Sequence, residues 1–341
     1  MIIRENIPIS SLTTMRIGGP ARYVFTAENP AEIPEAFEFA DMYHLPTFIL
    51  GGGANTIGHD TLFPGVIVTS NFTGITETIE NGVTFLKIMG ATPWDDVVDY
   101  AVKRNLTGIE ALSKIPGQSG AAPVQNIGAY GQDVSETFVE AEAYDTKTHK
   151  FTILTKADFH FSYRKSILNT TMRGRFFIIS ITLALREGKM SRPFYNSIEK
   201  YLLDHQTTDF SPASIRTIVS TIRKDKLPDP AEKASSGSFF KNVYLTTEAD
   251  FKKAEKNGCP TYHGHDGVKI NSGWLIEQAG LKGKLLHGMR ISDKAALVLI
   301  NESATGYADL AKARAEIVQA VYDKFGFFLE QEPVEIPTAS R

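Results

Sequence analysis

The chain has 341 residues, 42% of them hydrophobic and 22% charged, with a formal net charge of -3. This is ordinary globular composition, long enough for two or three domains and a sizeable core. The slight acidity argues against a polyanion-binding surface, so no nucleic-acid partner is expected, and the single cysteine, Cys259, excludes an intrachain disulfide and fits a reducing compartment.

The first residues lack the basic start and apolar stretch of a signal peptide, so the expectation is a soluble cytoplasmic protein. Asn29-Pro30 reads as a helix start, with Ile33, Ala36, Phe37 and Ala40 at helical spacing. Pro34 is awkward inside that helix and moves its expected start a few residues on. Residues 46–50 read as a strand running into Gly51-Gly52-Gly53-Ala54-Asn55, and 63–68 as a turn and second strand. Thr92-Pro93 predicts a helix, with Thr92 as cap, Pro93 in first position and Asp95 and Asp96 at the positive end. Trp94, Val97, Val98, Ala101 and Val102 form its apolar face.

Strand-like runs follow at 138–144, 151–154 and 176–185; the last is too short to span a bilayer, and no membrane partner is expected. Ser211-Pro212 opens a helix with Ile215, Ile218, Val219 and Ile222 on one face, and Leu227-Pro228-Asp229-Pro230 stops it. Residues 228–236 read as a linker. Beyond lie a helix around Trp274, Leu275, Ile276 and Ala279, a strand at 295–300, and a helix at 307–325. Leu310, Ala311, Ile317, Val318 and Val321 line one side of that last helix, and Arg314 interrupts the stripe.

The segment 116–131 is the most informative. It has four glycines, small residues, amides and almost no charge, with no helical periodicity. Partly buried, its backbone donors need partners, and a phosphate-bearing cofactor or a plain structured loop would satisfy that demand. Gly51-Gly52-Gly53 fails the dinucleotide fingerprint, because the third glycine would fall at Thr56, and there is no G-x-x-x-x-G-K-[ST]. Arg164, beside Tyr163 and after Phe161, fits a carboxylate-binding fork or a guanidinium lying over a ring. Ser238, between Gly237 and two phenylalanines, fits a pocket-floor hydroxyl or a turn entering a strand. Glu330 and Glu332 would share one face of a strand, or line a solvated edge. Cys259, His263, His265 and Asp266 match no zinc spacing, so no metal is expected.

In this order, these segments resemble the UDP-N-acetylenolpyruvoylglucosamine reductase family. The resemblance runs from Thr13-Thr14-Met15-Arg16-Ile17-Gly18-Gly19 through Leu50-Gly51-Gly52-Gly53-Ala54-Asn55, residues 115–131 and Tyr163-Arg164-Lys165-Ser166. It continues through Lys226-Leu227-Pro228-Asp229-Pro230, 237–242 and Gly273-Trp274-Leu275-Ile276 to 329–332. It implies an α+β protein with a vanillyl-alcohol-oxidase-type FAD-binding fold of two subdomains (1–73 and 74–225), a third α+β substrate-binding domain (226–326) and a C-terminal segment returning to the active site (327–341).

The resemblance implies noncovalent FAD, NADPH as hydride-donating cosubstrate, and reduction of UDP-N-acetylenolpyruvoylglucosamine to UDP-N-acetylmuramate for peptidoglycan, by a monomer. Gly51, Gly52, Gly53, Ala54, Asn55, Gly117, Ser119, Gly120, Asn126 and Ile127 match cofactor-binding positions. Arg164 and Glu332 match the pair that steadies charge on the substrate carboxylate, and Ser238 the proton donor to C2. Tyr195, Arg223, Lys226, Asn242, Tyr262 and Lys269 match positions that hold the UDP-sugar. The chain departs from the family pattern at Ala54 (usually serine), His59, Asp60, Val243 and Gln331 (the last two often proline). An oxidase of the same fold, and a binding protein that has lost catalysis, are the rival readings.

Overall fold

The computed structural model describes residues 1–264 and 267–337. The chain forms two compact units: Met1–Arg4, Tyr23–Gly52 and Gly65–Lys224, and then Glu5–Arg22, Gly53–Pro64 and Asp225–Arg341. The division is interleaved, whereas the sequence reading placed boundaries one after another. The chain passes from one unit to the other five times: inside the strands Ile2–Pro8, Pro20–Ala27 and Phe63–Ser70, between Gly52 and Gly53, and near the end of the helix Pro212–Lys226.

In the first unit an antiparallel sheet runs in the order Lys150–Thr155, Phe138–Asp145, Phe176–Glu187, Val83–Met89, Ile75–Glu80. The helix Trp94–Lys103 buries Trp94, Val97, Val98 and Ala101 in one core with Leu86, Ile88, Ile181 and Leu183. Thr92 does not cap this helix as expected. Its hydroxyl exchanges hydrogen bonds with the backbone of Gly74, and Pro93 stands at the cap position. The helix Ile33–Met42 packs Ile33, Ala36, Phe37 and Ala40 against Phe25, Val66, Val68 and Phe177. Asn29 caps a preceding short turn, and Pro34 sits in the first helical turn, where a missing N–H costs nothing.

A third core joins the helices Asn196–Asp204 and Pro212–Lys226 through Ile198, Leu202, Ile215, Ile218, Val219 and Ile222. Asp95 fixes the second of these. It accepts bonds from both Arg216 guanidinium nitrogens (2.7 and 3.0 Å) and from Lys114 Nζ (2.7 Å). Burial alone would raise its pKa; those bonds lower it from 3.8 to about 2.

In the second unit an antiparallel sheet runs Ser235–Ser238, Val298–Asn301, Met289–Ile291, Leu285–Leu286. A three-stranded sheet runs Val243–Tyr244, Gly267–Ile270, Thr261–Gly264. The helix Tyr307–Phe325 has the bounds read from the sequence, and Leu310, Ala313, Ile317, Val321 and Phe325 are buried. Its first N–H groups, on Tyr307 and Ala308, donate to the Asp60 carboxylate at 2.6 and 3.1 Å, an acid on the positive helix end. Gly306 makes room for that carboxylate, since a Cβ there would lie 2.3 Å from Asp60 Oδ1. The strand expected at 295–300 begins only at Val298.

Among the described residues no helix is long and apolar enough to cross a membrane, and no group of three or more His, Cys, Asp or Glu is placed to hold a metal ion. His265 and Asp266 of the cluster considered above lie outside the described residues; Cys259 is a buried free thiol.

Candidate active site

The residues singled out from the sequence are divided between the units. In the first, Gly51 and Gly52 follow the strand Thr47–Ile49 and lie against the segment that starts at Gly117. A Cβ on Gly52 would stand 3.2 Å from Gly117 Cα, and one on Gly51 3.0 Å from Ala121 Cβ. Gly120 is equally tight, 3.1 Å from Gly90 Cα. Two glycine-rich segments therefore touch backbone to backbone, which is what their lack of side chains permits. Ser119 is fully buried, and both its N–H and its hydroxyl donate to Thr92 O (2.9 and 2.8 Å); Gly120 N donates to Gly90 O. These donors are spent inside the protein.

The N–H groups of Gly51, Gly52, Gly53 and Ala54 differ: none donates to a backbone carbonyl among the described residues. Amides of a glycine loop without backbone partners are donors of the kind an anion takes up. In the second unit, buried hydroxyls on Thr13, Ser235 and Ser236 also have no protein partner among the described residues.

Asn126 is buried with φ +46°, and its side chain joins Ser162 O to Ser135 N. Ile127 packs on the large core of the first unit. Arg164, at φ +56°, donates to Asn126 O (3.4 Å) and Gly128 O (2.6 Å), and its guanidinium lies 5.1 Å from the Tyr163 ring centre. The guanidinium is held by backbone carbonyls and lies near a ring. Gly128 is a residue that sequence reasoning missed: a Cβ there would stand 3.0 Å from Arg164 Nη1. Arg223 lies within electrostatic reach of Tyr130, whose ring meets Tyr195 edge-on at 5.8 Å. Burial lowers the Arg223 pKa against the pull of Tyr130 and Asp95, and burial raises that of Tyr130. Tyr130 is a second missed residue, holding two expected ones together.

In the second unit the geometry converges on a short stretch of β-structure. Ser235 pairs with Ile300 and Ser238 with Val298, so one strand has three steps where its partner has two. Gly237, at φ +72°, absorbs the extra residue as a β-bulge. The bulge puts Ser238, instead of Gly237, on the face opposite Val298. Immediately beyond, Lys241 N donates to Glu330 O (2.8 Å), Phe240 bridges Gln331, and Glu332 N donates to Phe239 O (2.9 Å). Glu332 is therefore opposite Phe239, one position from Ser238.

The other side of the same segment meets the loop after Ala54. Asn55 Nδ2 donates to Glu332 O (3.4 Å), Val334 N to Asn55 O (2.9 Å), and Val334–Glu335 runs parallel to Thr56–Ile57. Gly53, at φ +65°, fits beneath: a Cβ would sit 2.0 Å from Leu12 O.

Lys226 is exposed at the end of its helix. Asn242 accepts from Ser272 N (3.1 Å) at a helix start. Tyr262 and Lys269 are paired across two strands, with Tyr244 on the far side of Lys269. His59 and Asp60, departures from the family pattern, serve the unit itself: Asp60 at the helix start, and His59 with its Nε2 3.0 Å from Glu335 Oε2.

A family model for the UDP-N-acetylenolpyruvoylglucosamine reductase C-terminal domain matches residues 229–336, and one for an FAD binding domain matches 21–149. A UDP-N-acetylenolpyruvoylglucosamine reductase of Thermobifida fusca is 35% identical over 348 residues, covering 97% of both chains. That of Alcanivorax borkumensis is 35% identical over 316 residues, 92% of this chain and 87% of its own. Among solved structures, the reductase of the same name from Thermus caldophilus superposes with a TM-score of 0.68 over 98% of this chain and all of its own, at 23% identity. That likeness establishes the fold, and the α+β, FAD-binding class expected from the sequence is the one found.

Proposed function

The chain belongs to the UDP-N-acetylenolpyruvoylglucosamine reductase family, and from that premise we propose that it reduces UDP-N-acetylenolpyruvoylglucosamine to UDP-N-acetylmuramate with NADPH, using the residues placed above. The observation that supports the residue roles is the backbone pairing of Phe239–Lys241 with Glu330–Glu332, which brings Glu332 opposite Phe239, the residue after Ser238, with Asn55 bonded to the Glu332 carbonyl.

Bound FAD would supply the hydride, taken from NADPH and passed from N5 to C3 of the enolpyruvyl group. Everything else falls to the protein. Charge that builds at C2 spreads into the substrate carboxylate, where a fixed guanidinium is worth most in a dry site. Arg164 suits that task, because two backbone carbonyls and a left-handed loop already hold its fork. Ser238 gives its hydroxyl proton to C2, completing addition of H⁻ and H⁺ across the double bond. A serine is a weak acid, and the carbanion-like carbon is a base strong enough to take its proton. Glu332 works at the same reacting centre.

The unspent amides of Gly51, Gly52, Gly53 and Ala54 would hold the cofactor's pyrophosphate. Gly117, Ser119 and Gly120 contribute shape more than donors, their amides and hydroxyl being committed or closely packed. Arg223, Tyr195, Lys226, Asn242, Tyr262 and Lys269 are assigned to the UDP-sugar.

A single-turnover experiment tests this reading. The flavin is reduced by NADPH without oxygen, the nucleotide removed, and the enolpyruvyl UDP-sugar added. Rapid reoxidation with UDP-N-acetylmuramate formed is the expected result. Reduced flavin that ignores the sugar and reacts with oxygen instead would favour an oxidase of the same fold.

A further inference from the structure

The inference rests on the role proposed for Glu332. Arg314 lies mid-way along the helix Tyr307–Phe325, on a side otherwise made of Leu310, Ala313, Ile317 and Val321. A guanidinium on such a stripe is costly unless its donors are used. Here Nη1 donates to Gln331 Oε1 (2.6 Å) and Glu335 Oε1 (2.5 Å), and Nη2 to the Tyr307 hydroxyl (3.3 Å). Gln331 in turn donates through Nε2 to Pro333 O (2.8 Å) and to Glu335 Oε1 (3.3 Å). One guanidinium thus grips side chains on both sides of Glu332, and Gln331 arches over it to the carbonyl of the next residue.

Two further contacts stiffen the arrangement. The second oxygen of Glu335 meets His59 Nε2 at 3.0 Å, and the His59 ring lies on Tyr307 with centres 3.8 Å apart. Burial pushes the Glu335 carboxyl up, but Arg314 and Tyr307 bring it below the ordinary value; Arg314 is raised in spite of burial. The pair is charged, and it fastens the segment to the helix. The backbone bond from Glu332 N to Phe239 O fixes where that residue starts; the grip on 331 and 335 fixes how the chain turns through it.

We propose that Arg314 is a positioning residue for Glu332, acting through Gln331 and Glu335, and that it serves the sugar-reducing half-reaction alone. Helix 307–325 would then act as the rigid support of a carboxyl that it does not itself carry. Gln331 becomes part of the device, in place of the proline frequent at this position.

The test separates the two half-reactions in the FAD-loaded protein. Arg314→Gln is expected to slow sugar-dependent flavin reoxidation about 10- to 100-fold, the cost of a displacement near 1 Å at a reacting group, and to leave flavin reduction by NADPH at the wild-type rate. Arg314→Lys should recover part of the loss, because an ammonium keeps the charge on Glu335 but lacks the fork. Equal slowing of both half-reactions, or of neither, overturns the proposal. If Arg314→Gln does not fold, Gln331→Ala decides: it leaves the Arg314–Glu335 pair in place and should show the same selective loss, and unchanged reoxidation overturns the proposal. A wild-type flavin that ignores the sugar overturns the functional reading and this inference together. A wild type that turns over beside an equally fast Arg314→Gln overturns this inference alone.

Discussion

The two units hold their site residues by different means. In the first, Arg164 is fixed by a loop: a left-handed backbone, two carbonyls about 40 residues away at most, and a glycine that makes room for it. In the second, Ser238 is fixed by pairing with Val298, and Glu332 by backbone bonds to the segment just after Ser238, about 90 residues away, and by Asn55, 277 residues away. A loop position can be tuned by one residue. A ladder position moves only if the register moves, and a slip of one residue turns every side chain to the other face. The difference predicts precise, change-resistant geometry at Ser238 and adjustable geometry at Arg164.

Substitutions can test that contrast. Ser238→Ala leaves the ladder intact and removes only the hydroxyl. It should lower sugar-dependent flavin reoxidation by about a hundred- to ten-thousand-fold with NADPH reduction preserved; normal turnover would sink the proton-donor assignment. Arg164→Lys keeps the charge but cannot occupy both carbonyls. A loss of about a hundred- to a thousand-fold in the same assay is expected, and a near-normal rate would show that charge suffices without the fork.

Gly53→Ala attacks the ladder from beneath. Its Cβ would meet Leu12 O at a backbone angle that alanine resists, so stability should fall by roughly 1–3 kcal/mol, read from denaturant midpoints. Unchanged midpoints would show that this loop yields. In the first unit, Asp95→Asn removes the anchor of Arg216 and should cost about 2 kcal/mol at neutral pH. Because the Asp95 pKa is depressed when folded, from 3.8 to about 2, its contribution is full above the unfolded value and is lost as pH falls through the folded one. The gap between wild type and variant should close toward pH 2, and a gap that persists there would assign the effect to packing.

The contrast also explains what could be read from the chain. The helix 307–325 was legible because its apolar stripe is a continuous pattern; the glycine segment and Arg164 stood out by loss of periodicity and by flanking aromatics, but their expected roles came through resemblance. Glu332 was placed only through resemblance, since nothing local to Glu330-Gln331-Glu332 reveals that Phe239 and Asn55 flank it. Gly128 and Tyr130 were missed for the same reason; their value lies in partners at 164, 195 and 223. Arg314 did leave a signal, a charge interrupting an apolar helix face, but its partners Gln331 and Glu335 lie 17 and 21 residues after it, beyond the helix, and gave no periodic trace. Thr92 looked like a helix cap and was claimed by Gly74, a competition that propensity does not register.

The segment 330–335, which carries Glu332, pairs with two others made far earlier in synthesis, at 55–57 and 239–241. A ribosome must therefore have passed residue 335 before either neighbour can acquire its partner. Any product released sooner can fold much of its mass yet has an open slot where the carboxyl belongs. A chain cut short of Glu330 leaves Lys241 N, Phe239 O and Asn55 O without the partners that this segment supplies, an open edge in place of a filled one.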